Sequence, residues 1–138
     1  MAGSSLDDLQ RQVEADPASP LFVPYAAALL EAGRPQHAVE VCRAGLEHHP
    51  DRADARVLCG RALLRLGQAT EARAHFEAAL AAHPRDAGIH AAVGEALLER
   101  GLHRSAAQLF RRALALDPAD LRLQELIARA EGRQAPAA

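Results

Sequence analysis

The stretch Ala53–Pro84, ADARVLCGRALLRLGQATEARAHFEAALAAHP, sets the pattern for most of this 138-residue chain. It contains two short amphipathic runs that are joined by Leu66-Gly67-Gln68. Prolines recur 34 residues apart along the chain, and glycines recur with the same spacing. The residues concerned are Pro50, Pro84 and Pro118, and Gly33, Gly67 and Gly101. A fixed period of this length is typical of proteins built from stacked repeats.

The recurring residues also predict how each repeat folds. A glycine at the end of the first helix tolerates the positive φ of a sharp turn, and a proline ends the second helix. Gly60 and Gly94 lie inside helical runs, where glycine costs about 0.5–1 kcal/mol relative to alanine. We therefore expect two helix backbones to approach closely at these glycines. The partner residues are expected to be the small Ala72 and Ala106, with Phe76 and Phe110 filling the space beside them.

These places resemble the tetratricopeptide repeat, which carries an aromatic residue, a large apolar residue before glycine, a further apolar residue, an alanine, an aromatic residue and a proline. In the middle unit the places are held by Arg56, Cys59-Gly60, Leu63, Ala72, Phe76 and Pro84. In the following unit they are held by His90, Val93-Gly94, Leu97, Ala106, Phe110 and Pro118. In the preceding unit they are held by Phe22, Tyr25-Ala26, Leu29, Ala38, Cys42 and Pro50. The first aromatic residue of the pattern is kept only at Phe22.

The resemblance implies an all-α fold, a right-handed superhelical solenoid of antiparallel helix pairs with about eight helices. Within one domain, the expected parts are an N-terminal capping helix (1–18), repeats at 19–52, 53–86 and 87–120, a C-terminal capping helix (121–132) and a disordered tail (133–138). Capping helices are expected because stacked repeats expose an apolar end. Ser19-Pro20 predicts that the first helix of the first repeat begins at Pro20, with serine as its N-cap.

Composition and charge exclude several classes of function. The net charge is −2 with acidic and basic residues interspersed, and all sixteen basic residues are arginine. This balance argues against a nucleic-acid-binding or membrane-binding surface. The first residues lack the apolar core of a secretory signal, and no later run approaches a membrane span. We expect a cytoplasmic protein.

The two cysteines, Cys42 and Cys59, occupy repeat places that face the interior of adjacent helices. We predict that both are reduced core residues, with a disulfide between them as the alternative.

The histidines do not predict a metal site. His37, His75 and His103 fall on second helices with outer faces expected to be solvated, and His90 is expected to be half-buried. No pair of histidines has the one-turn spacing that places two metal ligands beside a carboxylate. We also find no nucleophile motif, phosphate-binding glycine loop or pair of catalytic carboxylates. The sequence predicts neither a cofactor nor an enzyme.

In tetratricopeptide repeat proteins, the first helices line a concave groove that binds a peptide or helix of a partner protein. Carried over place by place, the groove would be lined by Val23, Ala27, Leu30, Val57, Arg61, Leu64, Arg65, Ala91, Glu95, Leu98, Glu99, Glu125 and Arg129. In the alternative interpretation, Val57, Leu64 and Leu98 only support neighbouring helices. Repeats that bind the acidic tails of heat-shock chaperones use lysine and asparagine in the groove, and this chain has neither residue.

Two hypotheses for the function follow from this sequence. The first is an adaptor or scaffold that holds a peptide or helix of another protein in the groove. The second is a self-assembly module, in which the caps or the convex face pair copies of the chain into a homo-oligomer.

Overall fold

The computed structural model of the chain describes residues 5–132, and within this range the fold is all-α with eight helices. The helices are α1 (Leu6–Ala15), α2 (Phe22–Glu31), α3 (Pro35–His48), α4 (Ala53–Arg65), α5 (Ala69–Ala82), α6 (Ala87–Glu99), α7 (His103–Leu116) and α8 (Leu121–Ala130). The tail predicted at 133–138 lies outside the described residues, as do the first four residues of the N-terminal capping helix segment.

Glycine and proline mark the ends of the helices where their spacing predicts. Gly33, Gly67 and Gly101 have φ values of 77°, 80° and 78°, and each follows the first helix of a pair. A Cβ at any of the three would meet no atom within 4 Å, so the positive φ is what requires glycine there. The second helices α3, α5 and α7 all end two residues before a proline.

The helix α2 begins at Phe22, two residues later than the sequence predicts. The Ser19 hydroxyl accepts a hydrogen bond from the N–H of Leu21, and the Pro20 carbonyl accepts one from Val23 at 3.3 Å. Pro24 has no N–H and cannot donate to that carbonyl. A tighter turn therefore precedes the helix, and the i to i−4 pattern begins when Tyr25 donates to Leu21.

The helices form two compact units, Met1–Ala82 and His83–Ala138, which we call the first and second units. In the first unit each helix packs on the next, and α2 also contacts α4. In the second unit α7 packs on both α6 and α8, around the buried Phe110, Leu123 and Ile127. No helix within residues 5–132 is long and apolar enough to cross a membrane.

Gly60 and Gly94, inside the first helices of the second and third pairs, each make room for an aromatic ring. A Cβ on Gly60 would lie 2.5 Å from Cε1 of Phe76, and one on Gly94 would lie 2.6 Å from Cε1 of Phe110. The close approach expected at these glycines is therefore to a phenylalanine ring and not to the backbone of the facing helix. Ala72 and Ala106 are fully buried nearby.

The first helix pair also has a contact between a glycine and a ring, but the ring is on the first helix and the glycine is on the second. Here the ring belongs to Phe22 on α2, and the glycine is Gly45 on α3. A Cβ on Gly45 would overlap the Phe22 ring. His49 also stacks on this ring, with centroids 5.7 Å apart.

Aspartate and serine side chains cap three of the helices. Ser5 accepts a hydrogen bond from Asp8 N–H, Asp86 from Ile89 N–H and Asp120 from Arg122 N–H. At the start of α4 the N-cap residue is Arg52, which makes no such bond. Its guanidinium instead donates two hydrogen bonds, of 2.8 and 2.9 Å, to Asp54. These bonds lower the pKa of Asp54.

Candidate partner-binding faces

In the first unit, the apolar residues predicted for the groove are mostly covered by neighbouring helices. Leu30, Val57 and Leu64 are 2%, 7% and 6% exposed, whereas Val23 and Ala27 keep about half-buried side chains. The helix α4 contacts α2 directly and also packs on α3 and α5, so neighbouring helices surround it. The burial of Val57 and Leu64 is what the alternative interpretation, in which they support neighbouring helices, expects.

Two arginines form the polar part of this face. Arg61 and Arg65 lie one turn apart on α4, and both are half-buried. A guanidinium nitrogen of Arg65 (Nη1) donates a 3.1 Å hydrogen bond to the carbonyl of Leu30, near the end of α2. That carbonyl belongs to the last turn of α2 and also accepts a 3.1 Å hydrogen bond from the N–H of Gly33. We call the surface formed by Val23, Ala27, Arg61 and Arg65 the arginine face.

In the second unit the predicted residues form a face that is largely acidic. Glu95 and Glu99 are one turn apart on α6 and are exposed, with half-buried Leu98 between them, while Ala91 is 5% exposed. On α8, Glu125 and Arg129 are also exposed and one turn apart.

An ion pair links the two helices of this face. Arg122 of α8 lies 4.0 Å from the carboxylate of Glu95 on α6. Residues 122, 125 and 129 share one side of α8, so this pair places Glu125 and Arg129 on the side that meets Glu95. We call the surface formed by Glu95, Leu98, Glu99, Glu125 and Arg129 the acidic face. Within each unit a polar contact links two helices that carry predicted groove residues, through Arg65 and Leu30 in the first unit and through Glu95 and Arg122 in the second.

The cysteines and one histidine form a cluster that the sequence indicated only in part. Cys42 on α3 and Cys59 on α4 are fully buried free thiols. His75 was expected on a solvated surface, but it is half-buried with Nε2 at 3.6 Å from the sulfur of Cys59. Its Nδ1 is buried with no hydrogen-bond partner among the described residues. The position of His75 beside the core residue Phe76 was the only signal of this burial.

Hydrogen bonding separates the pKa values of the two thiols. The Cys42 thiol donates to Cys59 and so lowers the pKa of Cys59, and His75 acts in the same direction. That same bond, together with burial, raises the pKa of Cys42. Because neither sulfur is exposed, a substrate has no direct access to this pair. Within residues 5–132 no group of three or more histidine, cysteine or acidic residues is arranged to hold a metal ion.

Two further histidines lie deeper than the sequence indicated. His90, expected to be half-buried, is 3% exposed, and its Nδ1 lies 3.0 Å from the carbonyl oxygen of Asp86. A carbonyl only accepts, so this nitrogen carries the proton. His37, expected on a solvated face, is half-buried and meets the ring of Tyr25 edge-on at 5.9 Å. It lines a pocket beside α1 that the sequence analysis did not predict.

Paired antiparallel helices with glycine turns, ring–glycine contacts and faces on the first helices define a helical-repeat protein of the protein-binding class. The tetratricopeptide repeat family model matches residues 29–96 and 64–130. The chain therefore belongs to the tetratricopeptide repeat family. No curated protein sequence matches it.

Solved structures share this fold at low sequence identity. A thermophilic tetratricopeptide repeat protein of Thermus thermophilus has a TM-score of 0.79 at 22% identity, covering 91% of this chain and 71% of its own. YrrB, described as having an unusual peptide-binding site, has a TM-score of 0.66 at 17% identity, with 96% and 69% covered. The first repeat domain of RPAP3 (Spaghetti), bound to the HSP90 peptide SRMEEVD, has a TM-score of 0.64 at 15% identity, with 81% and 89% covered.

Proposed function

We propose that this protein is a non-catalytic scaffold or adaptor that binds a peptide or helical segment of a partner protein on the faces of its first helices. The observation that supports this proposal is the separation of charge between the two faces. Acidic and basic residues are interspersed along the chain, yet the arginine face carries two cations, while the acidic face carries three glutamates against Arg129 and the neighbouring Arg122. Complementary charges favour one partner and disfavour others, and so contribute specificity.

The family supports the same proposal. The fold neighbours include a tetratricopeptide repeat domain bound to a peptide and another described by its peptide-binding site. The HSP90 peptide in the first of these ends in glutamate, glutamate, valine and aspartate. The arginine face could attract such acidic residues, whereas the acidic face would repel them. We therefore propose that the arginine face binds an acidic part of the partner protein and that the acidic face binds a basic part.

The test is an affinity capture from native lysate with wild-type protein and charge-reversed variants. Arg61→Glu in the arginine face and Glu95→Arg in the acidic face should each abolish capture of the same protein. Arg73→Glu and Glu77→Arg are the matched controls, because both residues are exposed on the second helix α5. Leu64→Asp is unsuitable, since Leu64 is buried and the change would disturb the core. Equal capture by all variants would contradict binding on these faces.

Self-assembly is the second candidate, and exposed leucines of the second unit favour it. Leu121, at the start of α8, is 72% exposed, and Leu116, at the end of α7, is 39% exposed. Leu126 is buried in the core of this unit and is not available for pairing. Sedimentation equilibrium should show a mass that rises with concentration for wild type and less for Leu121→Glu. A strictly monomeric protein at high concentration would rule this candidate out.

A further inference from the structure

A pocket of about 260 Å³ lies in the first unit between α1 and α3. Both helices pack on α2, which forms the floor of the pocket with the side chains of Phe22 and Tyr25. Val13 of α1 and Val41 of α3 add apolar walls. Pockets for drug-sized ligands are usually about 300–1,000 Å³, so this smaller pocket suits a single long side chain.

The floor of the pocket is held in place by several contacts. Phe22 and Tyr25 are 1% and 3% exposed, and the Phe22 ring packs against Gly45 and stacks on His49. His49 also reaches the loop between α1 and α2, where its Nε2 lies 2.6 Å from the carbonyl oxygen of Ala18. A preformed floor of this kind loses little conformational freedom when a ligand binds.

The rim of the pocket carries negative charge on both sides. Glu14 at the end of α1 and Glu40 on α3 both line the pocket and are exposed. Glu14 accepts one hydrogen bond, from Gln10, and Glu40 accepts none from the residues that the structure describes. Burial and the negative charge of Glu14 raise the pKa of Tyr25 against the opposing effect of Arg34. Glu14 therefore acts electrostatically on the floor of the pocket.

We propose that this pocket binds the side chain of an arginine or lysine residue from a partner protein. The aliphatic stem would lie on Tyr25 and Val13, and the cationic head would face Glu14 and Glu40. The ring of Tyr25 offers a further attraction to a cation above its face. The pocket uses residues 22 and 25 of α2, whereas the arginine face uses residues 23 and 27, so this is a second docking site beyond the proposed first-helix faces.

The test uses the full chain labelled with ¹⁵N and a small peptide probe, acetyl-Leu-Arg-Leu-amide, followed by NMR. Saturable shifts of the amides of Glu14, Val41 and Ala44 are expected with this probe. The neutral peptide acetyl-Leu-Met-Leu-amide should bind at least about threefold more weakly, because it lacks the charge attraction. Equal affinity for both peptides, or shifts confined to other parts of the chain, would overturn the proposal.

Variants identify which groups bind the probe. Glu14→Gln and Glu40→Gln should each lower the affinity for the arginine peptide by about threefold, as expected for partly solvated charge pairs. Glu47→Gln is the matched control, because Glu47 is exposed on α3 and does not line the pocket. Ala44→Leu should abolish binding by filling the pocket, and Ala44 is exposed enough to accept the change without disturbing the core. Unchanged affinity in all three pocket variants would overturn the proposal.

The result is separable from that of the capture experiment. Arg61→Glu, which tests the arginine face, leaves the pocket intact and should not alter the affinity for the arginine peptide. Glu40→Gln should conversely leave binding on the first-helix faces unchanged. Either proposal can therefore fail without affecting the other.

Discussion

The first helix pair and the two pairs that follow solve one packing problem with opposite arrangements. In the first pair the ring is on the first helix and the glycine on the second, as Phe22 and Gly45. In the next two pairs the glycine is on the first helix and the ring on the second, as in Gly60 and Phe76. The chain has three phenylalanines, and each pair contains one of them.

Residues at equivalent places change together to keep this arrangement. Where Gly60 and Phe76 stand in the second pair, the first pair has Ala26 and Cys42. Where Phe22 and Gly45 stand in the first pair, the others have the combinations Arg56 with Ala79 and His90 with Ala113. Each of the three helix pairs therefore combines one ring with one facing glycine, which agrees with a close-packed interior of limited volume. Which helix supplies the ring is of less importance.

Removing a ring should have the largest effect on stability. Phe22→Ala and Phe110→Ala should each lower the free energy of unfolding by about 3–5 kcal/mol, because both rings are fully buried and leave a cavity. Urea unfolding followed by circular dichroism measures the loss. Similar losses for the two variants would support the equivalence of the two arrangements. A loss below about 1 kcal/mol at Phe22 would show that its ring does not serve the first pair in this way.

Filling the glycine place should have the next largest effect. Gly45→Ala and Gly60→Ala should each cost about 1–3 kcal/mol by overpacking the ring, which exceeds the gain of about 1 kcal/mol in helix propensity. The loss should be larger at Gly45, where the added methyl group overlaps the ring more strongly.

A second change can separate overpacking from any other cost. Phe22→Leu should recover part of the stability lost in Gly45→Ala, and it should not rescue Gly60→Ala. Coupling of this kind is measured with a double-mutant cycle, in which contacting residues depart from additivity. Additive effects of the Phe22 and Gly45 changes would contradict the ring–glycine contact.

The smallest expected effect concerns the N-caps, which also differ between the pairs. Arg52, Asp86 and Asp120 occupy equivalent places, but only the two aspartates cap their helices by accepting a backbone hydrogen bond. Asp86→Ala should cost about 1 kcal/mol, and Arg52→Ala only a few tenths, since its ion pair with Asp54 is largely solvated. Thermal unfolding of the two variants under one condition measures the difference. Equal losses would contradict the assignment of the caps.

The pair of Arg52 and Asp54 also has a defined pH dependence. The folded-state pKa of Asp54 is lowered, so its contribution to stability is present above the unfolded-state pKa and is lost as the pH falls through the folded-state value. Arg52→Ala should therefore reduce the loss of stability on acidification. If the fall in stability at acidic pH is the same in Arg52→Ala as in wild type, the pair makes no measurable contribution to stability.

The turns and helix ends at glycine and proline were predictable because they depend on local backbone chemistry. A positive φ favours glycine, and proline ends a helix because it has no N–H. Gly67 and Pro84 therefore predict a turn and a helix end without any tertiary information. The start of α2 was misplaced because Pro24 alters the hydrogen bonds of a turn that Ser19-Pro20 alone seemed to define.

The candidate site was less predictable, because exposure depends on what packs against a side chain. Helical spacing placed Val57, Arg61 and Leu64 on one side of α4, but the burial of the two apolar residues depends on how neighbouring helices pack on α4. The burial of His75 likewise results from its contact with Cys59 on the neighbouring helix. Such contacts join residues far apart in the chain, and the period of 34 residues does not describe them.

The sequence by itself determined the family, the number and order of the helices and the residues at which they turn, because each of these depends on a repeated local pattern. The tertiary structure decided which helix of a pair carries the ring, which predicted groove residues remain exposed, and that a pocket opens between α1 and α3. These features depend on how side-chain volumes fill the space between helices, and that space exists only once the helices have packed.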